Sequence, residues 1–248
     1  MTQLVLCLIF TLFFAACSST EKLDISTAEG AYKMAQSLEK DERFEEAISY
    51  YVDIKNKHPY SRFAVASKMA VANIHYKRNA FAEAETSYKL IKEFHPNHKQ
   101  IDFVTFRLAM SYFKQMPEEI DRDLSSSQNA ITYFDEVSSR YPKSDYAGSA
   151  RDHKKFVYRL LAKRELYVAN FYFHQKLYDS ALGRYESLWQ KYKNLGLNLK
   201  ALNGATLSAI KSKNRNKAKK FLALMSKEFP KSNELKKAKQ AMADTYGK

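Results

Sequence analysis

Hydrophobic and polar positions along this chain follow one spacing that repeats five times. In each copy an alanine is followed by a large apolar residue four positions later and by another three positions beyond. Residues with this spacing lie on one face of an α-helix, and the alanine allows a second helix to approach closely. The five sets are Ala47, Tyr51 and Ile54; Ala84, Tyr88 and Ile91; Ala130, Phe134 and Val137; Ala181, Tyr185 and Leu188; and Ala218, Leu222 and Met225.

A proline lies twelve residues after the alanine in four copies, and Lys193 takes its place in the fourth. Because proline cannot continue a helix, it predicts where the second helix of each copy ends. Another apolar run precedes every alanine, so each copy is predicted to be two helices joined by a short turn. The preceding runs are residues 31–38, 69–76, 103–113, 160–173 and 201–210.

These helix pairs resemble the tetratricopeptide repeat, whose usual period is about 34 residues. The pattern predicts an all-α fold, a solenoid of five helix hairpins plus a C-terminal helix. Units one to three are expected within residues 28–142, and units four and five with the final helix within 143–248.

Two steps between successive alanines are longer than the others because each contains an insertion. In unit three the extra residues fall within 115–128, where a proline, four acids and three serines predict an acidic loop around Asp121, Arg122 and Asp123. In unit four, residues 146–175 contain no proline and predict one helix of about thirty residues, or two stacked ones.

The N-terminus predicts export and a lipid anchor. Residues 4–16 form an apolar run that is too short to span a bilayer but has the length of a signal-peptide core. The run ends in Phe-Ala-Ala-Cys, which resembles a bacterial lipobox, so residues 1–16 are predicted to be removed and Cys17 acylated. Residues 17–27 would form the tether. An ordinary secretory signal and a buried helix are the alternatives.

Composition and charge narrow the possible functions. The formal net charge of +14 is typical of proteins that bind nucleic acid or an anionic surface, but an envelope location disfavours nucleic acid. Residues 211–220 and Lys236, Lys237 and Lys239 form a basic face, for which a solvated surface is the favoured explanation. With Cys7 removed in the signal peptide, no disulfide is available.

No arrangement of residues predicts catalysis, and no cofactor or metal is expected. His95 and His98 flank Pro96 without an acidic or cysteine partner, which favours turn residues over metal ligands. Stacked helix hairpins instead present a groove for peptides, although aromatic residues at helical spacing also occur in cores. The groove candidates on the first helices of units one to three are Tyr32, Gln36, Met69, Asn73, Tyr76, Phe106, Met110 and Phe113.

Several stretches together resemble the BamD family, the tetratricopeptide lipoproteins of the outer-membrane protein assembly machine. They are HPNHKQIDFVTFRLAMSYF (95–113), DRD (121–123), RYPKSDYA (140–147) and LAKRELYVANFYFHQKLYDSALGRYESLWQKY (161–192). The resemblance implies an acyl anchor at Cys17 on the periplasmic face of the outer membrane. It also implies binding of the periplasmic domains of BamA by the C-terminal repeats, and of the C-terminal segments of unfolded outer-membrane barrels by the N-terminal repeats. Other lipoproteins of the same machine are further candidate partners.

Arg184 and Tyr185 are predicted at the BamA interface. Arg184 follows Gly183, a helix-interior glycine that costs about 1 kcal/mol relative to alanine, and its guanidinium can grip a carboxylate bidentately. The family resemblance places Arg184 in the region that communicates with BamA. An intramolecular pair with Glu165 or Glu186 is the alternative, and a close contact with a neighbouring repeat would also explain Gly183.

Three functions stay open on the sequence alone. The first is a non-enzymatic adaptor of β-barrel assembly, and the inserted loop and the long fourth unit favour it. The second is an envelope lipoprotein that regulates a peptidoglycan-synthesising enzyme. The third is a binder of nucleic acid or another anionic polymer, suggested by charge, whose affinity would fall steeply with salt.

Overall fold

The structure is a computed structural model that describes residues 23–117, 119 and 122–247. Within these residues the regular secondary structure is helical, which confirms the all-α prediction and the tetratricopeptide-repeat class. The described helices are α1 (Ala28–Lys40), α2 (Phe44–Lys57), α3 (Arg62–Lys77), α4 (Phe81–Phe94), α5 (Ile101–Lys114), α6 (Ser126–Arg140), α7 (Ala147–His174), α8 (Tyr178–Lys191), α9 (Asn198–Lys211), α10 (Arg215–Glu228) and α11 (Asn233–Tyr246).

The chain divides into two compact units after Ile74. The first contains α1, α2 and most of α3, and the second contains the remaining helices. The predicted division at residues 142–143 separates the expected client-binding repeats from the expected BamA-binding repeats. It does not refer to compact units, and it stays a prediction.

The first unit is built around the predicted face of α2. Ala47, Tyr51 and Ile54 are buried against Ala35 and Ile74, which come from α1 and α3. The Tyr51 hydroxyl donates a hydrogen bond of 2.9 Å to Glu39 at the end of α1. Burial, together with this carboxylate, raises the pKa of Tyr51 far above its usual value, so the phenol stays a donor.

In both units the repeating alanines are fully buried, which confirms the spacing on which the prediction rested. All five are 0% exposed, and so each occupies a place that a larger side chain would overfill. The fifth copy departs at one position. Leu222 is only half-buried, and Phe221, one residue earlier, fills the core beside Met225.

Four of the five hairpins turn through the same C-terminal motif. A residue five positions before the repeat alanine adopts a left-handed conformation with φ near +60°, although none of the four is glycine. In the first hairpin the Glu42 N–H bonds to the Glu39 carbonyl and the Arg43 N–H to the Leu38 carbonyl, which is a Schellman motif. The left-handed residues are Glu42, Asn79, Lys176 and Lys213.

The second helix of every unit ends in one conformation, with or without proline. The residue that ends the helix has φ between −120 and −136° and ψ between 42 and 56°, and its N–H bonds four residues back. Tyr192, which precedes Lys193, matches the residues that precede proline. Lys193 therefore leaves the end of the unit unchanged.

Both insertions lie where they were predicted. The described residues between α5 and α6, 115–117, 119 and 122–125, lie outside both helices, so the insertion falls in a connection rather than in a helix. The helix α7 is continuous over 28 residues, which selects the single-helix alternative. His153 and Lys154 in its first half contact α6, whereas Glu165 and Asn170 in its second half contact α8. Ala162 packs with Ala201 of α9.

Candidate partner-binding surfaces

In the first unit, the groove candidates differ in how much surface they leave available. Tyr32 is half-buried between two rings, at 5.4 Å from Tyr51 and 5.1 Å from Phe63. Met69 is only 7% exposed, so it contributes mainly to the core. Gln36 is exposed and Asn73 is half-buried, which leaves amide groups on this surface.

In the second unit, Tyr76 belongs to a cation–π pair that the repeat pattern does not predict. The Arg107 guanidinium lies 4.6 Å from the centre of the Tyr76 ring and 5.3 Å from that of Phe103. Such contacts favour a fixed side chain, because the cation is held by the ring face. Arg107 follows Phe106 in the apolar run of α5. A charged residue in an otherwise apolar run is the sequence feature that could have indicated this contact.

Phe106 and Phe113 belong to an aromatic cluster that ties α5 to α6 and α7. Phe106 is 9% exposed and stacks on Tyr146 at 5.1 Å, so little of its ring can meet a ligand. Phe113 is half-buried and lies 5.1 Å from the ring of His153. His153 in turn stacks on Phe134 at 5.4 Å. Phe106 is therefore a core residue, which was the alternative to a place in the groove. Phe113 and Met110, one turn before it on α5, are half-buried and keep part of their surface exposed.

Arg184 forms an intramolecular ion pair with Glu165, one of the two acids that were considered as its internal partner. Its Nη1 lies 3.3 Å from Oε1 of Glu165, which projects from α7, and the guanidinium side chain remains 47% exposed. Glu186, the other candidate, instead accepts hydrogen bonds from Lys217 at 2.8 Å and Lys220 at 3.1 Å. The hydrogen bond from Lys217 is the main cause that lowers the pKa of Glu186. Both carboxylate oxygens of Glu186 therefore meet lysines of α10 rather than Arg184.

Tyr185 is buried, which leaves it almost no surface for a partner. It is 4% exposed and its hydroxyl donates a hydrogen bond of 2.6 Å to Oδ1 of Asn170. Burial raises its pKa to about 12. Its ring covers Gly204 so closely that a β-carbon there would lie 2.4 Å from ring atoms. The interface prediction for Tyr185 therefore gives way to a structural role.

Gly183 is exposed, and apart from its chain neighbours and the nearby backbone of α8, no atom of the described chain lies within 4 Å of where its β-carbon would be. The alternative of a close contact with a neighbouring repeat is therefore wrong. Gly183 and Arg184 together leave an open strip of backbone beside a half-exposed guanidinium on α8.

A sequence model of the YfiO family, described as an outer membrane lipoprotein, matches residues 25–206. The chain belongs to the YfiO family. The match runs from just before α1 into α9, so it includes every surface described above.

Relatives of this YfiO-family chain include proteins named outer membrane protein assembly factor BamD. The relative from Caulobacter vibrioides is 26% identical over 148 residues, which are 60% of this chain and 48% of the relative. The relative from Neisseria meningitidis serogroup A is 25% identical over 177 residues, or 68% and 66% of the two chains. That from Buchnera aphidicola is 26% identical over 182 residues, or 69% and 74%. The chain thus spans about half of the first relative and about two thirds of the second.

Similar solved structures include two tetratricopeptide-repeat proteins. The TPR2AB domain of yeast Sti1, in its pHSP90 complex, is 15% identical with a TM-score of 0.46, covering 88% of this chain and 84% of that one. YrrB, titled a TPR protein with an unusual peptide-binding site, is 16% identical with a TM-score of 0.40, covering 88% and 94%.

Two further predicted features of this YfiO-family chain lie partly or wholly outside the described residues. Cys17 and Asp121 are not described, so their roles stay predictions. In the same loop, Arg122 lies 3.5 Å from Glu119, and the Asp123 carboxylate accepts a 2.9 Å hydrogen bond from the Ser125 N–H. These contacts are local, and the Arg122 and Asp123 side chains remain exposed.

Within the described ranges, no three His, Cys, Asp or Glu side chains are grouped so as to hold a metal ion. His98 accepts a hydrogen bond of 3.2 Å from the Gln100 N–H, which suits its predicted role in a turn. No described helix has the length and apolar character needed to cross a bilayer.

Proposed function

We propose that this YfiO-family protein is a lipid-anchored, non-enzymatic adaptor of outer-membrane β-barrel assembly. In this role it binds the periplasmic domains of BamA and the C-terminal targeting segments of unfolded outer-membrane proteins. The observation that carries the proposal is the family match over residues 25–206, together with relatives named as assembly factors. Helix hairpins with exposed amide and aromatic side chains are a suitable surface for extended peptides.

Co-purification tests the proposed role directly. Detergent-solubilised envelope membranes containing the tagged full-length protein are passed over an affinity resin, and BamA is sought by mass spectrometry. Recovery of BamA with unfolded barrel proteins is the expected result. Recovery of a penicillin-binding protein without BamA would contradict the adaptor role and favour regulation of peptidoglycan synthesis.

Client contacts are proposed separately on those candidate surfaces of each unit that keep accessible atoms. Gln36, Asn73 and Tyr76 offer polar groups, while Tyr32 and Met110 offer half-buried apolar atoms. A peptide ending in an aromatic residue and carrying a photoreactive group is expected to label α1, α3 and α5. Labelling confined to α8–α11 would contradict this assignment.

The BamA contact is proposed at Arg184. The guanidinium is half-exposed, and within the described part of the chain only its Nη1 contacts an acid, so the rest of the fork can reach an acid of BamA. Arg184→Lys keeps the charge but removes the bidentate geometry, and it is expected to weaken BamA binding. Because partly exposed pairs contribute only about 0–1 kcal/mol, the melting temperature should fall by no more than about 4 °C.

Arg159→Lys on α7 is the matched control for the Arg184 experiment. Arg159 is exposed and forms no ion pair within the described part of the chain. Its replacement by lysine should therefore change neither BamA binding nor the melting temperature. Normal BamA binding by Arg184→Lys, together with a large fall in melting temperature, would show that Arg184 is structural.

A further inference from the structure

One cavity of the second unit lies outside the surfaces used so far. It has a volume of about 420 Å³ and lies between the turn that precedes α5 and the turn that joins α6 to α7. Its lining comes from two of the sequence stretches that carry the family resemblance, 95–113 and 140–147. The lining residues are Lys99, Ile101, Asp102, Arg140, Tyr141, Pro142, Lys143 and Ser144.

Hydrogen bonds hold the two turns together, so the cavity is preformed. The Ser144 hydroxyl donates to the Asp102 carboxylate at 2.6 Å, which links α5 to the turn before α7. The same hydroxyl oxygen accepts from the Tyr146 N–H at 3.2 Å, and the Ser144 N–H bonds to the Tyr141 carbonyl at 3.0 Å. A preformed site loses little conformational entropy on binding.

The charges around the cavity are unbalanced. Lys99 and Lys143 are exposed and have no acidic partner among the described side chains. Arg140 is 3.5 Å from Glu136, but Glu136 already accepts a 2.5 Å bond from Lys92. Three cations thus face one lining acid, Asp102, whose carboxylate is engaged by Ser144.

An apolar surface adjoins these cations, and it favours an acidic peptide over a small inorganic anion as the ligand. Ile101, Tyr141 and Pro142 line the same cavity, and the Arg140 guanidinium lies 5.7 Å from the centre of the Tyr141 ring. A bare phosphate would leave that apolar surface exposed to water. A peptide with alternating acidic and apolar side chains would cover it while its carboxylates meet the cations.

We propose that this cavity binds an acidic, extended segment of a partner protein, with a carboxylate between Lys99, Arg140 and Lys143. None of its lining residues belongs to the Arg184 surface or to the candidate client surface. Its occupancy therefore does not depend on the adaptor role proposed above.

Fluorescence anisotropy with a labelled peptide of known sequence tests this site. The probe is Gly-Asp-Ile-Asp-Phe-Asp-Gly, its control has asparagine in place of each aspartate, and the protein is the detergent-solubilised full-length chain. The double substitution Lys99→Gln and Lys143→Gln is expected to weaken binding of the acidic probe about tenfold, since charge-assisted contacts are lost.

The matched control removes the same charge elsewhere. Lys211→Gln with Lys219→Gln neutralises two exposed lysines on α9 and α10 and should leave the affinity within about twofold of the parent protein, which is small on the free-energy scale. Equal loss in both double variants would overturn the proposal, because net charge alone would then explain binding. Equal binding of the asparagine peptide would also overturn it. So would phosphatidylglycerol vesicles that bind through Lys99 and Lys143 while the acidic peptide does not.

Discussion

Two glycines, one on α8 and one on α9, show how one residue type can have opposite roles. Gly204 is buried beneath the ring of Tyr185, which is itself fixed by a hydrogen bond to Asn170. Gly183 lies on the exposed side of α8 with open space around it. The first is required by packing inside the molecule, whereas the second has no internal requirement.

Alanine substitution should therefore change stability in opposite directions at these two glycines. Gly204→Ala places a methyl group 2.4 Å from ring atoms that cannot easily move, and overpacking of this kind costs roughly 1–3 kcal/mol. Gly183→Ala removes a flexible residue from an exposed helix and should stabilise the protein by about 1 kcal/mol. Urea unfolding of both variants measures the two changes in free energy.

Gly183→Ala also tests whether a partner approaches the backbone of α8. If BamA contacts that strip, the variant should unfold at higher urea concentration yet bind BamA more weakly. A variant that is stabilised and binds normally would show that the glycine serves no interface. Loss of stability in Gly183→Ala would mean that the space around it is not open.

At this scale the sequence predicted which face a residue belongs to, but not which residue it meets. The alanine spacing placed Tyr185 correctly on the packed face of α8, yet its partner Gly204 lies on another helix and follows no period. The core position that the pattern assigned to Leu222 is filled by Phe221 for the same reason, because it depends on contacts with other helices. Adjacent positions on a helix differ by about 100° in direction, and only the packing of α10 against its neighbours decides between them.

At the scale of an element, the turns between paired helices carry a shared strain. Lys176 and Lys213 have φ of +61°, a conformation that costs about 1–2 kcal/mol for a residue other than glycine. The same conformation occurs in four hairpins with three different residue types, so the geometry of the turn determines it and not the side chain. The third hairpin, which carries the acidic insertion, lacks it, because Ser125 there has φ of −56°.

Replacement of Lys176 tests this strain. Lys176→Gly should stabilise the protein by a few tenths to about 1 kcal/mol, since relief of strain is partly offset by the entropy of glycine in the unfolded chain. Lys176→Val should destabilise it, because a β-branched residue avoids this conformation. Thermal melts should rank the proteins in the order glycine, lysine, valine. Identical melting temperatures for all three would contradict the φ value.

The repeat alanines permit a second test at the element scale. Ala84 on α4 is fully buried, and Ala84→Leu should cost roughly 1–3 kcal/mol by overpacking. Ala82 is exposed on the same helix, and Ala82→Leu should change stability by less than about 0.5 kcal/mol. Chemical denaturation that shows equal effects at both positions would mean that the alanine spacing does not mark the contact face.

At the scale of the whole molecule, two separate means of membrane attachment are expected, the net charge of +14 and the predicted lipid anchor. Charge attraction to anionic headgroups contributes about 1 kcal/mol per basic residue close to the surface and is screened by salt. Acyl chains contribute about 0.8 kcal/mol per buried methylene and are insensitive to salt. A high-salt wash therefore distinguishes the two.

Cys17→Ala is expected to leave a protein that is either soluble in the periplasm or retained as an uncleaved precursor, because the substituted chain can be neither acylated nor cut as a lipoprotein. The parent protein should stay with outer-membrane fractions after a wash in 1 M salt, where the Debye length is about 3 Å. Fractionation followed by immunoblotting measures both. If mature Cys17→Ala protein fractionates with the outer membrane in low salt and is released by the wash, its basic surface suffices for attachment. If the mature variant resists the wash, neither lipidation nor charge is the anchor, and a tightly bound protein partner must hold the chain at the membrane.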